Sequence, residues 1–161
     1  FGGAKSNMFV NQSVTQDYSI QEDGTIVKTL TVDYKNPYPP SDCNLERGNL
    51  CLNAVLRNWF RIYVPKGSKL LSSKGSEVKM ISYEELGKTV FEGFLTVRPQ
   101  GAAKLTVSYQ LPFKLSNNSS LPLLVQKQGG TDDDNYKITA GSKALEEFKL
   151  ASDKILNLKL K

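Results

Sequence analysis

The chain has 161 residues, of which 39% are hydrophobic and 23% charged, with 21 Lys and Arg against 16 Asp and Glu and no histidine. That length suits one domain with its own core. The composition excludes a disordered chain, and no apolar run approaches the ~20 residues that a membrane-spanning helix needs.

The net charge of +5 raises the question of nucleic acid. The basic residues are spread along the whole chain, mostly one at a time, rather than gathered on a stripe or helix, so no nucleic acid is expected. Weak attraction to anionic envelope polymers fits the charge equally well. The chain begins at Phe1 without an initiator Met, a basic n-region or an apolar h-region. The expectation is a single domain over 1–161, excised or matured from a longer exported protein, with any anchor lying upstream.

In chain order, the first run places Met8, Val10, Val14, Tyr18 and Ile20 on one parity. "QEDGT" then offers an Asp-Gly turn, and Ile26, Leu30, Val32 and Tyr34 form the apolar face of a second run over 26–34. An Asp-Gly pair between alternating segments predicts a hairpin. Residues 36–56 lose the alternation and form a long Pro- and Asn-rich connection, which in a compact domain is functional or tied down. Strand patterns resume with "NWFRIYVP" (58–65), closed by a "KGSK" turn, then "SEVKMISYEEL" (76–86) and "TVFEGFLTVRP" (89–99). The clearest alternation is "AKLTVSYQLPF", where Ala103, Leu105, Val107, Tyr109, Leu111 and Phe113 share one face. A polar loop at 114–120 follows, then "LPLLVQKQ" (121–128), "NYKITA" (135–140) and a closing pair of strands around Ser152-Asp153. Regularly spaced strands without convincing helices predict an all-β, antiparallel β-sandwich, Ig-like or related, of about eight to ten strands. At most a short helical turn is expected near 142–147, where Leu145, Phe148 and Ile155 could line a stripe.

Cys43 and Cys51 are the only cysteines. Two cysteines without histidine cannot complete a structural zinc site, and a redox pair wants a CxxC spacing. That leaves a disulfide closing a small loop or two buried free thiols, and the disulfide is favoured as a clip on the long connection. It implies an oxidising, extracytoplasmic setting.

The stretches "FGGAKSNMFV", "EDGTIVKTLTVDYKNPYP", "SDCNLERGNLCLN" and "RNWFRIYVPKGSKLL" together carry a resemblance over most of residues 2–113. They resemble the C-terminal, β-rich region of an envelope family of candidate-phylum bacteria whose activity is not settled. The upstream half of that family is similar to LytR-CpsA-Psr proteins, with a membrane anchor near the N-terminus. The resemblance implies an exported, membrane-tethered protein of which this chain is the terminal domain. It carries no functional residue onto this sequence.

Three constellations have chemical interest. "TDDDN" after Gly129-Gly130 lacks the ligand spacing of an EF-hand and reads as a solvated hairpin turn, with a loose calcium site as the lesser alternative. Glu84 and Glu85 are adjacent on a strand and therefore point to opposite faces, which prevents them from flanking one scissile bond; Glu46 beside Arg47 is the other nearby acidic candidate. In "RNWFRIYVP", Arg57, Trp59, Arg61 and Tyr63 share one face, and Phe60, Ile62 and Val64 share the other. If the latter set faces the core, the former could stack sugar rings or hold anionic polymers. The competing expectation is that a lone Trp in a sandwich is core. Trp59 would then be mostly buried, packed near the base of the Cys43–Cys51 connection with Leu52, Val55 and Leu56.

No Gly-rich phosphate loop and no GxSxG appear. The reading is a non-catalytic extracytoplasmic structural or interaction module of a cell-envelope protein, with no cofactor and no metal. The alternative is a carbohydrate or cell-wall-polymer binding module. Envelope polysaccharide or another envelope protein is the expected partner.

Overall fold

The computed structural model describes residues 5–116 and 120–160. Residues 117–119, the centre of the expected 114–120 loop, lie outside the described residues, as do residues 1–4 and 161.

Among the described residues, eleven strands follow a 3-10 turn at Ser6–Phe9. They are β1 (Asn11–Ile20), β2 (Thr25–Lys35), β3 (Leu56–Pro65), β4 (Lys69–Lys74), β5 (Ile81–Glu85), β6 (Lys88–Val97), β7 (Ala102–Lys114), β8 (Leu121–Val125), β9 (Asp134–Ala140), β10 (Lys143–Leu150) and β11 (Lys154–Leu158). One sheet has six strands in the order β10-β9-β1-β2-β7-β4; a second has three, β3-β6-β5; β11 and β8 form a two-stranded third. The expected all-β sandwich is what forms. Among the described residues the strands number eleven rather than eight to ten, and the pairing of β1 with β9 is parallel rather than antiparallel.

Alternation explains which face of each strand is buried. Val14 and Tyr18 of β1, Ile26, Val32 and Tyr34 of β2, and Leu105, Val107, Tyr109 and Leu111 of β7 point inward from the large sheet. Phe60 and Val64 of β3 and Phe91, Leu95 and Val97 of β6 meet them from the three-stranded sheet. Phe91 and Tyr109 join the layers, with ring centroids 5.4 Å apart. Leu121 of β8 and Leu158 of β11 close one side of the same core. Met8, ahead of β1, is exposed, and Phe113, near the end of β7, is 41% exposed, although their parity assigns them to the apolar face.

Left-handed backbone closes the β1–β2 and β5–β6 turns. The Asp-Gly hairpin forms as expected between β1 and β2: Gly24 takes φ +83°, and both Asp23 carboxylate oxygens accept hydrogen bonds from Thr25. Between β5 and β6, Leu86 (φ +50°) and Gly87 (φ +70°) make a two-residue loop with both residues left-handed.

Three sequence expectations are corrected. The helical turn near 142–147 is instead the start of β10. A bulge at Leu145, between the pairs Ala144–Thr139 and Glu146–Ile138, turns both Leu145 and Phe148 onto the core and so imitates helical spacing; Ile155 is exposed. β4 was hidden inside the polar run after "KGSK", while residues 76–80 precede β5 without being part of it. The two closing strands do not pair with each other, because β10 joins β9 and β11 joins β8.

Candidate functional site

The outer face of the three-stranded sheet is ordered by the register of β3 against β6 and β5. Because Phe60, Ile62 and Val64 face the core, the alternate side chains of β3, Arg57, Trp59, Arg61 and Tyr63, face outward. The antiparallel register then sets Arg57 opposite Thr96, Trp59 opposite Phe94, Arg61 opposite Glu92 and Tyr63 opposite Val90. On the far side of β6, Ile81 faces Glu92 and Tyr83 faces Val90. Val90 is fully buried although it lies on this outer face, where Tyr63 and Tyr83 flank it as its cross-strand neighbours.

Trp59 is 56% exposed. The expectation of a buried tryptophan packed under the clip is therefore overturned. Its parity is that of the arginines, and the inward place beside it is filled by Phe60. Leu52 and Val55, the apolar residues expected to cover it, are themselves exposed. The indole instead leans on Phe94, with ring centroids 5.0 Å apart and planes tilted by 46°. All four residues singled out on β3, Arg57, Trp59, Arg61 and Tyr63, are together on one solvent-facing surface.

One half of that surface is a closed polar network. Arg61 Nε donates to Glu92 Oε2 at 2.7 Å, and the Tyr83 hydroxyl donates to the same oxygen at 2.7 Å. The Tyr63 hydroxyl donates to Glu85 Oε2 at 2.6 Å, and Arg61 Nη1 lies 3.8 Å from that oxygen. The donors explain the titration of the acid: the bonds from Tyr83 and Arg61 hold the Glu92 carboxyl below its ordinary range. Conversely, the carboxylate it donates to pushes the Tyr83 hydroxyl up to about 12, and Glu85 raises Tyr63. Arg61 is thus neutralised within the sheet.

The other half is a groove of about 660 Å³. Arg57, Phe94, Thr96 and Arg98 line it, and Pro40 and Val55 border it from the long connection. The wall is held by backbone bonds: Gln100 N–H donates to the Tyr38 carbonyl at 3.0 Å, and Asn36 N–H to that of Gly101 at 2.9 Å. Phe94, Arg98, Tyr83, Glu85 and Glu92 had not been singled out for this site. Their strands were recognisable, but the pairing of β6 with β3 and β5 was not.

Cys43 and Cys51 are bonded, with Cα atoms 4.3 Å apart. The clipped loop contains a 3-10 turn at Leu45–Arg47, whose Arg47 N–H donates to the Asn44 side chain, and it ends at Gly48 with φ +76°. Its base is tied by a buried amide pair that sequence reasoning did not single out. Asn36 Nδ2 donates to Asn53 Oδ1 at 2.7 Å, and Asn53 Nδ2 donates to the Pro39 carbonyl at 2.7 Å. Glu46 and Arg47 are exposed on this loop.

The remaining acidic candidates sit apart from the surface. Glu84 pairs with Lys66 at 3.2 Å, on the opposite side of β5 from Glu85. The Asp-rich segment connects β8 to β9, which lie in different sheets, so it is a crossover rather than a hairpin. There Lys127 Nζ donates to the Thr131 carbonyl and hydroxyl at 2.7 and 2.8 Å, and burial raises the Asp134 carboxyl. Among the described residues, no group of three or more His, Cys, Asp or Glu side chains could hold a metal ion. No helix among them is long and apolar enough to cross a membrane.

No family model and no curated protein sequence matches the chain. Among solved structures it is similar to a variant of the M1 zinc metallopeptidase of Deinococcus radiodurans bound to a Tyr-Ser-Ala substrate. That likeness has 9% identity and a TM-score of 0.37, over 92% of this chain and 38% of that one. A two-domain M1 zinc metallopeptidase variant bound to L-tryptophan is similar at 7% identity and a TM-score of 0.38, over 92% and 39%. The chain spans less than two fifths of either protein. At these TM-scores the likeness carries no argument about function.

Proposed function

We propose that this domain is a non-catalytic interaction module of an extracytoplasmic, envelope-associated protein. Its contact surface is the outer face of β3 and β6, and its ligand is carbohydrate or a cell-wall polymer. The observation that carries the reading is the exposure of Trp59 on the outer sheet face, beside Phe94 and between Arg57 and Arg61. An aromatic face bears a negative quadrupole that complements the slightly positive C–H face of a sugar ring. Leaving a tryptophan in water costs apolar burial, so an exposed one beside arginines has the composition of a contact surface rather than of a core.

In this reading the Tyr63, Tyr83, Glu85 and Glu92 network presents fixed hydrogen-bonding groups to sugar hydroxyls. The disulfide supports the extracytoplasmic part, because such bonds persist where thiols are not kept reduced. The resemblance to an envelope family belongs to the same proposal.

The test is binding of purified wall polysaccharide by wild-type protein and by Trp59→Ala, measured by calorimetry. The expected result is binding by the first and loss in the second with the fold intact. Equal binding by both would overturn the assignment of this face.

A further inference from the structure

We infer that the groove at the Arg57 end is an anion subsite, and that the ligand is an acidic polysaccharide with a negative group one sugar away from the ring stacked on Trp59. The inference rests on the proposed carbohydrate-binding reading and names the ligand class for that same face.

The observation is an asymmetry of charge. Arg61 is paired with Glu92 and lies near Glu85. Arg57 and Arg98 line one groove, and neither forms an ion pair among the described residues. One carboxylate is bonded to a groove-lining residue, that of Glu77 to Thr96. Its Oε1 is engaged by Thr96, accepting from the backbone N–H at 2.7 Å and from the hydroxyl at 2.6 Å. Glu77 lies on the β5 side of β6, whereas Arg57 reaches the groove from β3.

Arg57 and Arg98 both border one groove, and an anion bound there would be met by two positive side chains. A guanidinium is a planar fork that matches a carboxylate or a phosphate in two-point hydrogen bonding. Phe94 is common to both halves, since it carries the Trp59 contact and lines the groove. A ring on Trp59 therefore places the next unit of a chain toward Arg57 and Arg98. A neutral glycan would leave those charges unanswered, and an acidic peptide would leave the aromatic platform unused.

Calorimetry at low ionic strength tests this, because salt screens exposed charges. The probes are an oligogalacturonate, which carries a carboxylate on each sugar, its methyl ester of equal length, and poly-glutamate. The wild type should bind the acid at least tenfold tighter than the ester. Arg57→Gln with Arg98→Gln should remove the preference, so that acid and ester bind with equal affinity. A charge-matched control, Lys74→Gln with Lys149→Gln on exposed positions of β4 and β10, should keep the tenfold preference. Trp59→Ala should abolish binding of the ester.

Equal affinity for acid and ester, both lost in Trp59→Ala, would overturn the anion subsite and keep the carbohydrate-binding reading. Poly-glutamate bound as tightly as the acid would overturn the polysaccharide as occupant. Failure of both glycans to bind would overturn the subsite and the reading beneath it.

Discussion

Lys28 sits on the inward face of β2, opposite Tyr18 on β1 and Tyr109 on β7, at 8% exposure. It shares parity with Ile26, Leu30, Val32 and Tyr34, yet a lysine is assigned to solvent by its type, so the alternation alone concealed it. Its Nζ lies 5.0 Å from the centre of the Tyr18 ring, and among the described residues no carboxylate pairs with it. Burial lowers its pKa from 10.5 to about 7. Between those values the unfolded chain holds a proton that the folded chain has released. Stability should therefore rise with pH from about 7, by at most roughly 1.4 kcal/mol per unit. The facing tyrosines, Tyr18 and Tyr109, are both raised by burial, as is Tyr34 to about 12. Once the unfolded chain's tyrosines ionise near pH 10, these three reverse the trend. Lys28→Met should remove the rising limb and stabilise the protein at neutral pH, as read from urea midpoints across pH; an unchanged slope would show that another group sets it. Trp59→Ala, by contrast, should cost about 1 kcal/mol or less, far from the roughly 3–5 kcal/mol of a buried tryptophan. A large fall in the urea midpoint would contradict the exposed position.

At the scale of elements, strands were legible and their partners were not. Alternation in β1, β2, β3 and β7 comes from one buried face per strand, and the Asp-Gly hairpin announced its own pairing. The candidate surface needed more. Trp59 and Phe94 stand 35 positions apart, and only the β3–β6 register puts them opposite each other. No property of either residue alone encodes that register, so half the site was visible as a stripe and the other half was not. The β5–β6 loop also departs from turn chemistry. Leu86 occupies a left-handed position that Asn or Gly takes at less cost, and it is 86% exposed, so no packing compensates it. Leu86→Asn should stabilise by about 1 kcal/mol, seen as a higher melting temperature; no gain would mean that the loop has another geometry in solution. The clipped connection invites the reverse change. Replacing both Cys43 and Cys51 by Ser should cost roughly 2–3 kcal/mol by the chain-entropy model. Hydrogen exchange should quicken most in residues 41–53, while the core amides of β2 and β7 quicken by no more than that global loss, because the Asn36–Asn53 pair still holds the base. Equal quickening in residues 41–53 and in the core strands would show that the clip has no local role.

For the whole molecule, the parallel pairing of β1 with β9 governs how the chain holds together. Ser13 lies beside Asn135 and Tyr18 beside Ala140, so strands more than a hundred residues apart are neighbours in the six-stranded sheet. A parallel pair cannot be closed by a hairpin, and loop closure over such a span has to be met before the contact rewards it. In the chain, everything from β2 to β8 lies between the two strands of this pair. The last third of the chain also supplies core. Ile138 is fully buried, Leu150 and Leu158 nearly so, and β11 is the hydrogen-bonded partner of β8. Removing residues 129–160 leaves β1 as an open edge, strips these side chains from the core and leaves β8 unpaired. The candidate surface, by contrast, is built wholly within residues 36–101 and loses none of its own residues. If the sandwich folds as one cooperative unit, the fragment 5–128 should show no cooperative thermal transition and should bind no ligand, although its contact residues are all present. A sharp transition with a heat of unfolding scaled to its length would mean that the β3-β6-β5 face and its partners in β2 and β7 are a separable folding unit. The surface could then be studied apart from the strands that close the sheet.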